Sequence, residues 1–294
     1  LSLSSDPSNN KKLRTALLSI SVSLVLIVIK VVFGIITNSI SILASAADSF
    51  LDITASSVNL YSIKKAEKPA DHDHKFGHGK VEGLAGLFQT FIIWSSTLYL
   101  IYLSIVRLVN GERLVSLDWG IVVIAFSIIV SFFLARHIRR VAEETESLIL
   151  SADSLHYNFD VYTNGSIITG LIAIKLTGYY KIDPIISIVI ALFIIWSSKD
   201  IVRESIDILM DKELPPAVIK GIEDTIMGYD PSVKSYHKLK TRNAGSVKFV
   251  EFHVVMDHTL SFVKSHEIAE QIVDEIKEKI GNSEITVHVD PDKR

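Results

Sequence analysis

The stretch Asp48-Ser49-Phe50-Leu51-Asp52 decides how the rest of the chain is read. It sets two carboxylates inside an apolar run, where an unpartnered charge costs about 2.5–3.5 kcal/mol at a bilayer centre on insertion scales. The two are four residues apart, so on a helix both side chains leave one face, a turn apart. His156-Tyr157-Asn158-Phe159-Asp160 repeats that spacing at the head of a second apolar run. Together the two turns offer three carboxylates and one imidazole, the number and kind of donors that suit a tetrahedral divalent cation such as zinc. An ion site at that depth points to transport.

Around these turns the chain is apolar. Hydrophobic residues make up 48% of its 294 positions and the mean hydropathy is +0.36, which places it in the membrane class. A formal net charge of -3 supplies no basic field for nucleic acid. Cysteine is absent, which excludes disulfides, thiolate nucleophiles and thiolate metal sites. It also disfavours copper(I), a sulfur-seeking ion that would find only Met210, Met227 and Met256. The polar opening, residues 1–12, reads as a disordered head and not as a signal peptide.

Six apolar segments follow, at roughly 13–36, 39–63, 82–108, 117–138, 147–177 and 183–209. The third has no charged residue between Gly83 and Val106, enough to cross a core of about 30 Å. The second and fifth hold the ligand candidates and score lower in hydropathy for that reason. Basic residues gather before the first segment (Lys11, Lys12, Arg14), after the second (Lys64, Lys65, Lys68) and after the fourth (Arg136, Arg139, Arg140). The positive-inside rule then puts both termini in the cytoplasm of a multi-pass protein of the inner or plasma membrane. The expected fold is a six-helix transmembrane domain over 13–211 and a soluble domain over 212–294, with Pro215-Pro216 at the boundary. In the latter, the pattern predicts a helix over 217–227, strands over 235–242 and 247–257 with a hairpin signal at 243–245, a helix over 263–280 and a strand over 284–289. That order, α-β-β-α-β, is an α+β domain with helices on one face of a mixed sheet.

Other motifs admit two readings each. In the loop after the second segment, Asp71, His74 and His78 form either a second metal site or a solvated polar turn. The soluble domain holds His237, His253, His258, His266 and His288, with Asp290 on the strand face of His288; they are metal ligands or structural histidines. His266-Glu267 resembles the start of a zinc-protease motif, but the second histidine is missing, so no hydrolase is read there. Asp153 reads as a helix-start residue in preference to an acceptor for the His156 ring. Lys30 reads as a cation snorkelling to the outer interface, with a role near the ions as the lesser reading. Gly83 and Gly86 suit close helix approach.

With these motifs in view, the chain resembles the cation diffusion facilitator family of divalent metal/proton antiporters, and its bacterial zinc-transporting members most. The carrying motifs are Ser41-Ile42-Leu43-Ala44 through Asp52, Phe76-Gly77-His78-Gly79-Lys80, His156 to Asp160, and His288-Val289-Asp290-Pro291. The resemblance implies a transport site at Asp48, Asp52, His156 and Asp160 and a loop site at Asp71, His74 and His78. It also implies a two-ion site at His237, His253, His266, His288 and Asp290 in a cytoplasmic domain similar to copper chaperones. A homodimer and a hinge charge pair, Lys80 with Asp211, complete what it implies. One departure is the short connection from Arg139 to Ser147, where eukaryotic members carry a long histidine-rich loop.

The expected function is therefore proton-coupled export of a divalent cation by alternating access, not enzymatic catalysis. Cation and protons compete for the same donors, and an imidazole, with a reference pKa of about 6.5, suits the proton carrier. His156 favours zinc as cargo; cadmium, cobalt, iron(II) and manganese stay open. The alternative is a passive divalent-cation channel.

Overall fold

Within a bilayer a chain has no water to satisfy its amides, so apolar runs of this length close their hydrogen bonds internally as helices. The computed structural model describes residues 7–36, 40–110, 118–179 and 181–292, with the side chains of 7, 40–45, 47, 48, 51, 118–120, 171 and 175 outside the description. The chain forms two compact units, one running to Gly77 and over Val81–Ser205, the other comprising His78–Lys80 and Ile206 onward.

The first unit is built from α1 (Pro7–Ile36), α2 (Ile40–Ala66), α3 (Val81–Asn110), α4 (Asp118–Thr145), α5 (Leu148–Thr177) and α6 (Ile182–Leu209), whose last turn is counted with the second unit. Among the described residues four of them, α1, α3, α4 and α6, are long and apolar enough to cross a membrane. The other two, α2 and α5, are 27 and 30 residues long and carry the ligand candidates. The interior is made by Ile63, Leu134, Ile138, Ile149 and Leu150 at one level and by Ile93, Phe159 and Ile194 at another. Large apolar side chains such as Val28, Phe91, Phe133 and Leu192 face outward, as lipid solvent allows. Gly86 lets α3 close on α5: a Cβ there would meet Leu148 Cδ2 at 3.3 Å and Ser205 Oγ more closely still.

Three expectations are corrected in this unit. Helix α1 covers Pro7–Ile36, so residues 7–12 of the expected disordered head are helical. The cause is charge pairing: Lys12, 1% exposed, reaches Glu82 of α3 at 3.5 Å, and Lys11 reaches Glu144 of α4 at 3.2 Å. Lys30 does not snorkel; it is buried and donates to Ser49 Oγ of α2 at 2.7 Å, because α1 packs along α2. Asp153 is no helix-start residue. Ser147 caps α5, its Oγ accepting from the Leu150 N–H, and Asp153 lies inside the helix.

In the second unit the order is α7 (Pro216–Gly228), β1 (Val233–Ala244), β2 (Val247–Met256), α8 (Phe262–Ile280) and β3 (Ser283–Pro291). Strands β1 and β2 pair antiparallel and β2 and β3 parallel, a mixed sheet in the order β1-β2-β3. The parallel pair requires a crossover, which α8 supplies. The hairpin turn falls at Gly245-Ser246, slightly later than expected, with Gly245 at φ +63°. Val250, Phe252, Val254 and Met256 of β2 bury against Ile222 and Ile226 of α7 and Ile268 and Ile272 of α8. Period-two alternation then sends Glu251, His253 and Val255 to the other face.

Candidate metal centres

Helices α2 and α5 bring Asp52, His156 and Asp160 together, with one ligand atom from each within 4.8 Å of the others. His156 Nε2 stands 2.8 Å from Asp52 Oδ1, and the two side chains are 6% and 14% exposed. That is a hydrogen-bond separation. Donors about 2.0–2.1 Å from a tetrahedral zinc stand about 3.3 Å apart, so a cation would replace the hydrogen bond and open the pair by about half an ångström. Asp48 lies on α2, but its side chain is outside the description.

Directly beneath His156 on α5 is a buried polar network around Asp153 and Tyr157, whose partners Ser19, Ser23, Ser56 and Asn59 lie outside the motifs. Asp153 accepts from Asn59 Nδ2 at 2.9 Å and from Ser19 Oγ at 3.0 Å. Tyr157 Oη stands 2.8 Å from Ser19 Oγ, 2.7 Å from Ser23 Oγ and 3.2 Å from Ser56 Oγ. The residues fall on α1, α2 and α5 at helical spacing, Ser19/Ser23, Ser56/Asn59 and Asp153/Tyr157. Polar pairs at i, i+3 and i, i+4 within apolar segments were the available signal.

In the loop, Asp71 Oδ1 accepts the backbone N–H groups of Asp73 at 3.1 Å and His74 at 2.9 Å, and Oδ2 accepts from Lys68 Nζ at 2.8 Å. The Lys68 hydrogen bond, then that of the His74 amide, holds this carboxyl well below the usual carboxylate range. His74 Nδ1 lies 3.4 Å from Asp71 Oδ1. His78 belongs to the short segment of the second unit and is buried.

On the open face of the sheet the register sets His237 opposite His253 and His253 opposite His288. Their ring centroids are 4.9 and 4.6 Å apart. Asp290 Oδ2 is 3.0 Å from both His237 Nε2 and His253 Nδ1, and Oδ1 is 3.4 Å from His288 Nε2. The His253 hydrogen bond keeps the Asp290 carboxyl ionised below its ordinary range. Imidazoles beside a carboxylate are a nitrogen/oxygen donor set that fits zinc. A bulge, marked by the register shift between His237 and Lys240 and by Lys238 at φ +54°, adjoins His237. His266 is not brought to this cluster. It stacks on Phe262 at 6.3 Å on α8, the helix packed against the other face of the sheet.

Also in the second unit, Lys80 Nζ lies 2.9 Å from Asp211 Oδ2, and Arg242 Nη1, absent from the motif reading, lies 3.1 Å from Asp211 Oδ1. Burial works to raise the Asp211 carboxyl, but the hydrogen bonds from Lys80 and Arg242 outweigh it and hold the group low.

An apolar helical bundle with acid and imidazole donors turned inward, followed by a small α+β domain, defines an integral membrane transporter of cations. Residues 16–210 match the family model described as the cation efflux transmembrane domain, and residues 214–292 that described as the cation efflux protein cytoplasmic domain. The chain is 35% identical over 278 residues to the cation-efflux pump FieF of Cronobacter sakazakii, covering 95% of this chain and 92% of that protein. It is 34% identical to the FieF of Salmonella arizonae, with the same coverage, and 34% identical over 276 residues to that of Serratia proteamaculans, covering 94% and 91%. The chain belongs to the cation efflux family, whose members are membrane transport proteins for divalent cations and not enzymes.

Proposed function

We propose that this protein exports zinc, or a related divalent cation, from the cytoplasm in exchange for protons, using Asp48, Asp52, His156 and Asp160. The observation behind this reading is the 2.8 Å contact between His156 Nε2 and Asp52 Oδ1. It needs a proton on one of the two atoms, whereas a bound cation needs both bare. Where the contact is an imidazolium–carboxylate pair, loading the cation on Nε2 releases a proton and protonation releases the cation, which is the requirement for exchange. The imidazole favours zinc over ions that prefer oxygen donors alone.

The chain works as a homodimer with both termini in the cytoplasm. An ion held by His237, His253, His288 and Asp290 draws two soluble domains together, and His266, placed on the opposite side of its own sheet, is supplied to that ion by the second copy. The loop site of Asp71, His74 and His78 is part of the same proposal on its donor set, as is Lys80 with Asp211 as the hinge pair.

The test is zinc uptake into proteoliposomes under an imposed pH gradient. Gradient-driven uptake is expected for the wild type and its loss for Asp52→Ala. Uptake indifferent to the gradient would favour a passive channel, and uptake surviving the substitution would remove Asp52 from the site. Light scattering on the purified protein checks the dimer.

A further inference from the structure

We propose that the cleft between the C-terminal half of α4 and the N-terminal half of α5 binds the phosphate headgroup of an anionic phospholipid. An open pocket of about 380 Å³ lies there, lined by residues that include Phe132, Arg136, Arg139, Arg140 and Glu143 of α4 and Asn158 of α5. That volume falls within the range of small-ligand sites.

Charge selects an anion. Arg139 Nε donates to Glu143 Oε1 at 2.6 Å, so the one carboxylate in the wall is already paired. Arg136 and Arg140 have no partner among the described residues, and both are exposed. They are four apart on one helix and so present two guanidinium forks to the same side. Such forks match the geometry of phosphate oxygens, and the Asn158 amide adds a neutral donor. A zwitterionic headgroup would bring an ammonium for which the wall keeps no free carboxylate.

Depth selects a lipid. From Trp119 to Ala135 the helix carries 17 uncharged residues, about 25 Å at about 1.5 Å per residue, close to the hydrocarbon thickness of about 30 Å. Arg136 is the first charge beyond that run and stands at headgroup level. One to three turns back along the same helix, Phe126, Ile129, Phe132 and Phe133 are exposed, an apolar surface for an acyl chain. Basic pockets between helices at the membrane surface bind anionic headgroups by the same physics. Asn158 lies between His156 and Asp160 in the chain, so a bound lipid also loads the turn that carries the proposed transport ligands. That consequence alone rests on the transport-site reading; the binding does not.

The experiment is native mass spectrometry of the full chain, released from micelles holding equal phosphatidylglycerol and phosphatidylcholine. It compares the wild type with Arg136→Gln/Arg140→Gln and with Arg139→Gln. The wild type is expected to retain phosphatidylglycerol selectively. The double variant is expected to lose that preference by roughly tenfold or more, since charge-assisted hydrogen bonds are the strong ones, and Arg139→Gln to lose less. Equal retention of the two lipids by the wild type, or an unchanged preference in the double variant, overturns the proposal. Displacement of the lipid by millimolar inorganic phosphate reassigns the cleft to a soluble phosphate and also overturns it. Should the double variant not fold, lipid competition on the wild type decides alone. The readout needs no ion flux, so a failed transport-site reading leaves it intact.

Discussion

Asp153, 1% exposed, is held by what it accepts: the Asn59 amide and the Ser19 hydroxyl. Removing the carboxylate strands the Asn59 amide in a dry interior, at about 1–3 kcal/mol, while the Ser19 hydroxyl keeps Tyr157 Oη at 2.8 Å as a partner. Asp153→Ala is therefore expected to lower the thermal midpoint in detergent by several degrees, read by intrinsic fluorescence, and Ser19→Ala by less. An unchanged midpoint would show that the network contributes nothing net to stability. The pairs Asp48/Asp52 and His156/Asp160 are legible in the sequence because a carboxylate in an apolar run is rare and its spacing is diagnostic. Ser19, Ser23 and Ser56 leave only their helical spacing as a signal, a weak one, since serine is common in helices and a hydroxyl's partner lies on another helix. Lys30 is misread for a related reason. Snorkelling is judged from position along one helix, whereas the α1–α2 contact decides where the ammonium goes.

At the scale of elements, strand alternation places Asp290 and His288 on one face of β3, where His288 Nε2 stands 3.4 Å from Asp290 Oδ1. The register of β1 escapes it, because the bulge after His237 breaks the period of two that the reading relies on. In titration calorimetry on the apo protein, His253→Ala is expected to weaken zinc binding by the soluble domain roughly tenfold or more. His253 is the middle rung, touching the His237 and His288 rings as well as Asp290. The segment around Lys80 has no tolerance for a side chain at Gly79, where a Cβ would fall on the Ala244 carbonyl. Gly79→Ala is accordingly expected to push the segment off the hairpin, separate Lys80 from Asp211 and raise proteolysis of the loop. Asp211 also sets a pH dependence. Its folded pKa is depressed, so its contribution is present at neutral pH and is lost as pH falls below the ordinary aspartate value of about 3.8. The pair is 39% and 43% exposed, which limits it to about 0.2–1 kcal/mol. Denaturant midpoints of the wild type and Asp211→Asn are expected to differ slightly at pH 7 and to converge below pH 4.

For the molecule as a whole, the second unit has a core of its own, drawn from α7, α8 and the strands. A fragment of residues 212–292 is expected to fold alone and melt cooperatively by circular dichroism; a featureless, non-cooperative melt would show that it needs the rest of the chain. Composition changes abruptly after Asp211, whereas the second unit takes up Ile206 onward and His78–Lys80 as well, and which helices touch within the bundle is written only in their packing. The three-stranded sheet leaves β1 and β3 as its outer strands among the described residues. An outer strand with bare amides recruits foreign strands and seeds stacked fibrils. Here β1 carries exposed Lys234, Lys238 and Lys240 around its bulge, and β3 ends on Pro291. Both are devices that blunt such recruitment and so work against edge-to-edge stacking of one copy of this sheet on another.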